Sequence, residues 1–352
     1  MRRSWNSTTN KPPNRTVLAL DAHGGDRGHS VCVPAAAEAV REDPRLHVVL
    51  SGDRAVLEPA LEEAGMADDG RLSVRHAETV LPMDARPTAV LRRGRDSSMW
   101  RAFELLAEGR AQGCVSGGNT AAMMTIGVKL LGMLPGIQRP ALMAYVPNTR
   151  GFTGLLDLGA NLNVSAHQLI QFAVMGSVTA SEVEGIQEPS VGLLNVGHED
   201  SKGHDLVQEA HDMMQSLPIN YAGFIEGHDI FDGTVDIAVC DGFAGNLILK
   251  STEGLARMLM KEFRGALESS LASRAGAALA RPALKRMLAR LDPSAHNGAP
   301  LLGLNGVAVK SHGHSDEAGL KRAILEAGRE ARRQVHRRIE ASIREYRLET
   351  SS

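Results

Sequence analysis

Cysteine is scarce: 352 residues contain three, Cys32, Cys114 and Cys240. They lie far apart in apolar surroundings and form no CxxC pair. That excludes a disulfide framework or a zinc ribbon, and it fits a reducing cytoplasm. The three read as small core residues. Aromatic residues make up only 3% of the chain, too few for a protein that stacks bases on rings. Neither sign of charge prevails. The 39 basic and 41 acidic residues leave −2, so no global field recruits nucleic acid. No apolar run approaches the ~18 residues needed to span a bilayer. The polar opening MRRSWNSTTNKPPNRT lacks an apolar segment of signal-peptide or anchor type, and predicts a disordered tail over residues 1–15. GxGxxG, GxxxxGK[ST] and GxSxG are all missing. With them go the usual signatures of dinucleotide binding, Walker-type nucleotide binding and α/β-hydrolase chemistry.

Apolar residues, by contrast, reach 43%, enough for a sizeable core, and glycine is abundant at 36 residues. Short apolar runs alternate with helical patterns. Strands are predicted at 17–20, 46–51, 72–77, 113–116, 141–146, 153–158, 191–196, 221–226, 237–240 and 306–310. Helices are predicted at 30–41, 58–64, 97–110 and 121–134, with a last long one over 316–347. This alternation is the pattern of a doubly wound α/β sheet. From Thr252 to about Leu291 no strand is convincing. Leu255, Leu259, Phe263, Leu267 and Leu271 step by four, and Leu284, Met287, Leu288 and Leu291 form a second helical stripe, with Pro282 suited to its first turn. Residues 257–290 carry eight bases and two acids, a local charge of +6. The domain organisation expected is a tail over 1–15 and one catalytic α/β domain over 16–350, including a helical arm at about 252–295.

Six loops, each after a strand, hold the chemistry-bearing residues: Asp21–Asp26, Ser116–Thr120, Gly159–Asn161, Gly197–His204, Asp241–Asn246 and Lys310–Ser315. Glycine-exposed backbone N–H groups at a helix N-terminus make an anion site. In open α/β sheets ligands bind outside the carboxyl ends of strands. Singly, each loop is more often a turn than a site. Together they read as an anion-binding α/β enzyme with a phosphate-bearing ligand and no obvious protein nucleophile.

The segments LALDAHGGD (18–26), VSGGNTAAMM (115–124), LPGIQRPAL (134–142), LLDLGANLN (155–163), QFAVMGS (171–177), VGLLNVG (191–197), EDSKG (199–203), EGHDIFDGTVDIAVCDGFAGNLILK (226–250) and GVAVKSHGHSD (306–316) resemble the bacterial phosphate acyltransferase (PlsX) family, in family order along nearly the whole chain. Three positions depart from its usual residues: His23 stands for Met, Gly117 for Ala and His204 for Asn.

The resemblance implies an α/β/α sandwich of isocitrate/isopropylmalate dehydrogenase type, shared with phosphotransacetylases, with a protruding helical arm. It implies an acyltransferase that moves a fatty acyl group from acyl-[acyl-carrier protein] to inorganic phosphate, giving acyl-phosphate for phospholipid synthesis, without cofactor or metal. Phosphate would attack the thioester directly. Lys202 and Asn246 are the leading catalytic candidates, since lysine and amide donors hold phosphate and a developing oxyanion. His312 would donate to phosphate or to the departing thiolate. Gly24, Gly25, Asp26, Ser116, Asn119, Thr120, Asn161 and Lys250 would line the substrate crevice. Asp241 has two readings, orienting a donor or capping a helix. The arm has two as well, a dimer bundle with a solvated Arg face or a basic tip on anionic lipid. The implied partners are acyl-carrier protein, phosphate, a second copy of the chain, the inner membrane surface and a membrane glycerol-3-phosphate acyltransferase. The protein would be cytoplasmic and peripherally bound. The rivals are a short-chain phosphotransacetylase using acyl-CoA, a non-catalytic membrane scaffold and, more weakly, a dehydrogenase.

Overall fold

The computed structural model describes residues 15–291, 297–346 and 348. The expected tail, apart from Arg15, lies outside the described residues. In chain order the elements are β1 (Thr16–Asp21), α1 (His29–Glu42), β2 (Leu46–Gly52), α2 (Arg54–Glu63), β3 (Leu72–His76), α3 (Pro87–Arg93), α4 (Ser98–Ala107), β4 (Gly113–Ser116), α5 (Thr120–Leu131), β5 (Ala141–Pro147), β6 (Phe152–Leu156), α6 (Ala166–Thr179, continued by a π-helical turn), β7 (Val191–Leu194), α7 (Asp205–Met214), β8 (Tyr221–Ile225), α8 (Gly227–Asp232), β9 (Ile237–Val239), α9 (Gly242–Glu268), α10 (Leu271–Leu291), β10 (Ala299–Leu302), β11 (Val307–Lys310), α11 (Glu317–Arg333) and α12 (Val335–Glu345).

The strands form one eleven-stranded sheet in the order β3-β2-β1-β4-β11-β10-β5-β6-β9-β7-β8. β1, β2, β3, β4 and β11 run parallel. β10 is antiparallel to both β11 and β5, and β5 is antiparallel to β6. β6, β9, β7 and β8 are again parallel to one another. The insertion of β10 and β5 therefore sets the two parallel blocks in opposite directions. Helices cover both faces, so strand residues alternate between two buried layers rather than between core and water. Leu18 and Leu20 pack with α1 and α11, while Ala19 between them packs with α4 and α5. In the other block Ile237 and Val239 face α6 and α12, and Ala238 faces the opposite side.

Two expected helices are redrawn. The single helix over 316–347 is broken at Gln334, which is left-handed at φ 52° and ψ 44°. Each half serves a different core. Leu320, Ala323, Ile324 and Ala327 of α11 pack on the first block, and Val335, Ile339 and Ile343 of α12 pack on the second. The first turn expected at Pro282 is instead the interior of α10. The alanine-rich stretch before it has high helix propensity, and the helix runs on through the one N–H that proline lacks. α9 and α10 pack on one another as a hairpin, and the only buried residues of α9 are Gly242 and Gly245 in its first turn.

Candidate functional site

All six loops follow strands, as expected. Three of them, after β1, β4 and β11, nest backbone against backbone. A methyl group at Gly24 would collide with the Asp21 carboxylate and meet the Gly118 N–H at 2.9 Å. Gly25 has φ +88°, and a Cβ there would sit 3.0 Å from the Gly313 carbonyl oxygen. Asp26 N–H donates to that same carbonyl at 3.0 Å. Such close approach is open only to glycine. The Ser116 hydroxyl donates to Asp21 Oδ2 at 2.7 Å and accepts the Gly118 N–H at 3.0 Å. Asn119 caps α5, accepting the Ala122 N–H at 2.7 Å, and Thr120 is the first residue of that helix. Asp26 Oδ2 lies 3.0 Å from His314 Nδ1.

Two buried charges lie under these turns. Burial pushes the Asp21 carboxyl up, against hydrogen bonds from Ser98 and Ser116 that favour its anion. Lys310, the last residue of β11, donates to the carbonyls of Gly117, at 3.2 Å, and of Ser311. Burial draws its ammonium down to about 8, with Asp21 and Asp26 opposing the shift.

The loops after β6 and β9 form a second nest. The Asp157 carboxylate is buried and accepts from the backbone of Leu142 (2.9 Å), Ala160 (3.2 Å) and Asn161 (2.6 Å). Burial pushes it up, and these donors oppose the shift. The Asn161 side chain is committed to this scaffold, donating to Pro140 O at 2.7 Å and to Asp157 at 3.0 Å. Asp241 caps α9, accepting the Ala244 N–H at 2.8 Å. The first turn of α9 rests on the Asp157–Asn161 segment, with Gly242 N–H donating to Asn161 O at 2.8 Å. That seat puts Asn246 against Gly159, where a Cβ on the glycine would lie 3.3 Å from Asn246 Cβ. Asn246 is an exposed residue.

α9 then carries the second nest toward the first. Asn246, Lys250 and Glu253 lie on one face at spacings of four and three. Lys250 Nζ bonds Glu253 at 2.9 Å, and Glu253 lies 3.8 Å from His312 Nε2. His312 Nδ1 accepts the His314 N–H at 3.2 Å, so the neutral ring carries its proton on Nε2, aimed as a donor. Burial is the main pull that lowers the His312 imidazole, with Glu253 opposing and Lys250 and Lys310 adding to it. Asn246 and Lys250 are one helical turn apart, about 6 Å along the axis.

The structure thus brings Gly24, Gly25, Asp26, Ser116, Asn119 and Thr120 together in the first nest, and Asn161, Asp241 and Asn246 in the second. Lys250 and His312 stand between the two. Lys202 lies in the loop after β7, the parallel neighbour of β9, whose own loop holds Asp241 and Asn246. It is exposed, its N–H donates to Glu199 O at 2.9 Å, and its carbonyl accepts from Asn195 Nδ2 at 3.1 Å. His204, on the same loop, is exposed at the start of α7. Among the departures from the usual residues, His23 Nε2 accepts the Asp53 N–H at 2.9 Å. The sequence reading named no role for Lys310, Asp21, Asp157 or Glu253. The available signal for the first was a lysine closing an otherwise apolar strand, VAVK.

All three cysteines are buried, and burial pushes each thiol up. Within the two nests the described residues offer donors, cations and buried carboxylates rather than an activated thiol. The one group of metal-ligating side chains among the described residues, His198, His228 and Asp229, lies at the ends of β7 and β8. A cavity of 610 Å³ opens elsewhere, lined by Arg45, Tyr145, Glu184, Glu326, Arg329 and Arg332 among others, and none of the candidate residues borders it.

The family model described as "Fatty acid synthesis protein" matches residues 16–338. The chain is 46% identical over 331 residues to a phosphate acyltransferase of Halorhodospira halophila, covering 94% of this chain and 96% of the relative. It is 44% identical over 340 residues to one of Shewanella halifaxensis, covering 96% and 99%. Among solved structures, a phosphotransacetylase from Streptococcus pyogenes superposes with a TM-score of 0.61 at 18% identity, covering 91% of this chain and 94% of that one. The EutD phosphotransacetylase from Staphylococcus aureus gives 0.58 at 15%, covering 90% and 94%. These structures establish the α/β/α architecture that the sequence predicts, and the full-length relatives establish the chemistry: the chain belongs to the phosphate acyltransferase family, enzymes that transfer an acyl group to phosphate.

Proposed function

We propose that the acyl donor is a fatty acyl thioester of acyl-carrier protein, and that the acyl-phosphate formed feeds phospholipid synthesis. The observation that carries the proposal is the pairing of the two nests. The first offers glycine-turn N–H groups and the buried Lys310 ammonium to a multiply charged anion. The second offers Asn246, and Lys250 and the His312 Nε2–H stand between. Phosphate held on the first nest attacks the thioester carbonyl, and its lone pair forms the new O–C bond. Asn246 donates to the oxyanion. Collapse breaks the C–S bond, and the thiolate leaves with a proton from His312 or solvent. Lys202, with Asn246, is the catalytic candidate that holds phosphate and the developing charge. No acyl-enzyme forms, in keeping with the buried thiols.

The test is incubation with acyl-carrier-protein thioester and phosphate, with acyl-phosphate read by mass spectrometry. Turnover with the carrier protein should far exceed turnover with acyl-CoA. A preference for short acyl-CoA would favour the phosphotransacetylase reading, which the fold also supports. No turnover with either would leave a scaffold. Cys32, Cys114 and Cys240, changed singly to Ser, should leave the rate largely intact. An acyl group trapped on Cys240 would replace direct attack by a ping-pong scheme.

The arm supports a cytoplasmic homodimer lying on the inner membrane face. Leu255, Met258 and Leu259 on α9 are more than half exposed, an apolar stripe that a second copy would cover. Leu271 and Leu279 are 84% and 86% exposed, with Arg274 and Arg281 beside them. A basic residue near an anionic surface is worth about 1 kcal/mol, screened within ~8 Å at physiological salt. Weak binding to anionic vesicles is therefore expected at low salt, with release at high salt. Arg274→Glu with Arg281→Glu should abolish it and spare activity on soluble substrate. Vesicle binding that persists in the double variant would leave the arm as a dimer bundle alone. Membrane contact would place the product beside a membrane glycerol-3-phosphate acyltransferase, and the arm's bases would suit acidic acyl-carrier protein.

A further inference from the structure

We propose that His198, His228 and Asp229, with Glu226 beside them, form a binding site for a divalent transition-metal ion of the zinc class. The site is separate from the two nests, and the proposal does not depend on the acyl donor. His198 lies in the loop after β7, while Glu226, His228 and Asp229 lie where β8 passes into α8. β7 and β8 are neighbours in the sheet. One ligand atom from each of His198, His228 and Asp229 lies within 4.8 Å of the others. His198 Nε2 is 3.3 Å from Asp229 Oδ2 and 3.8 Å from Glu226 Oε1. His228 Nε2 is 3.8 Å from Asp229 Oδ1.

Three features of the surroundings match a ligand set. His198 Nδ1 lies 3.1 Å from the Phe224 carbonyl oxygen. A carbonyl only accepts, so Nδ1 carries the proton, and Nε2 of the neutral ring turns its lone pair toward the carboxylates. Metal-bound histidines are oriented in this way. Asp229 is nearly buried and held at both ends: it accepts the Glu226 N–H at 2.7 Å, while the Glu226 side chain accepts the Asp229 N–H in return. The carboxylate is thus fixed before any ion arrives. Finally, the ion pairs of these two carboxylates are with His198 and His228 alone, with no lysine or arginine of the described residues at either. The His198 lone pair faces two carboxylates, and a divalent ion between them would balance the two formal negative charges.

Two imidazoles with carboxylate oxygens suit Zn²⁺, Co²⁺ or Ni²⁺. Mg²⁺ and Ca²⁺ prefer oxygen throughout. Both rings are more than half exposed, which leaves the ion a way in. A bound ion would tie the loop that bears Lys202 to the start of α8.

The test is calorimetric titration of the chelator-treated full chain with ZnCl₂ at neutral pH. The parent should bind Zn²⁺ at one class of site. Altering an outer-shell partner alone costs about 10–100-fold in metal affinity, so loss of a ligand in His198→Gln or His228→Gln should weaken binding by about 100-fold or more. Asp229 is left unchanged because its side chain completes the capping box of α8 with Glu226. The exposed rings make these variants safe for folding, which melting curves check. Titration with Co²⁺ gives a second readout, an absorption band of nitrogen–oxygen ligation lost in both variants. Zn²⁺ binding by both variants equal to the parent's would overturn the proposal. So would no binding by the parent, since a proton shared among the four groups would then be the cation.

Discussion

Replacing Lys310 by methionine should lower kcat/KM for phosphate by about 10²–10³-fold, the usual loss for one preorganised charge-stabilising donor, without lowering Tm. The two halves of that expectation have one cause. Lys310 is nearly buried, and its pKa falls from 10.5 to about 8, a penalty of about 3 kcal/mol on the ammonium at neutral pH. An ammonium has three donors. Two are used on the carbonyls of Gly117 and Ser311, and the third is left for an anion over the glycine turns. Methionine keeps the volume and removes the buried charge, so stability should hold or rise while phosphate loses its cation.

The pH dependence follows with a definite sign. The folded group loses its proton near 8, whereas the unfolded lysine keeps its own to about 10.5. As pH rises through about 8 the parent should lose kcat/KM for phosphate. Between about 8 and 10.5 the unfolded chain binds the extra proton, so this group's contribution makes stability rise with pH there. Lys310→Met should lack both trends. A variant with parental kcat/KM, or one with a clearly lowered Tm, would make Lys310 a structural lysine instead.

That residue also marks where the sequence stops being legible. VAVK reads as a strand with a polar end, and only the closure of the β4 loop over it, through Gly117, buries the lysine. The strands themselves are legible because each is a short apolar run closed by Asp21, Ser116 or a like residue, and because burial on both faces demands little else. β10 is four residues, APLL, with a proline inside, too short for any periodic signal. Missing it hides the reversal of direction between the two parallel blocks, and with it the reason that strand-end loops alone do not make one site. α9 supplies the missing link, and its polar face of Asn246, Lys250 and Glu253 lies among apolar residues of the same helix. The break at Gln334 is silent for another reason. Ala331, Val335, Ile339 and Ile343 keep an unbroken spacing of four across it, and no glycine or proline marks the turn. Lys202 reads as catalytic by its position in a polar loop, and that loop leaves β7 at the same end of the sheet at which the Asp241–Asn246 loop leaves its parallel neighbour β9.

The seat of α9 is the second place where a large effect is expected. A Cβ at Gly245 would fall on the Asp157 carbonyl oxygen and lie 3.0 Å from Cys240 Sγ. Neither neighbour is free to give way. Asp157 N–H donates to Cys240 O at 3.0 Å, and Cys240 N–H donates to Leu156 O at 2.7 Å. The Asp157 carboxylate is held besides by three backbone donors. In Gly245→Ala the helix must therefore withdraw, taking Asn246 off Gly159 and the Lys250–Glu253 face away from His312. Overpacking of this kind costs about 1–3 kcal/mol, and a displacement near 1 Å at a reacting centre costs about 100-fold in rate. Gly254→Ala is the matched control. It lies on the same helix with nothing within 4 Å of its Cβ position, and alanine is favoured there by about 1 kcal/mol of helix propensity. Gly254→Ala should thus melt no lower than the parent and keep its turnover, while Gly245→Ala should lose both. Equal turnover and equal Tm in the two variants would show that the contact of α9 with Asp157 does not position Asn246 for the reaction.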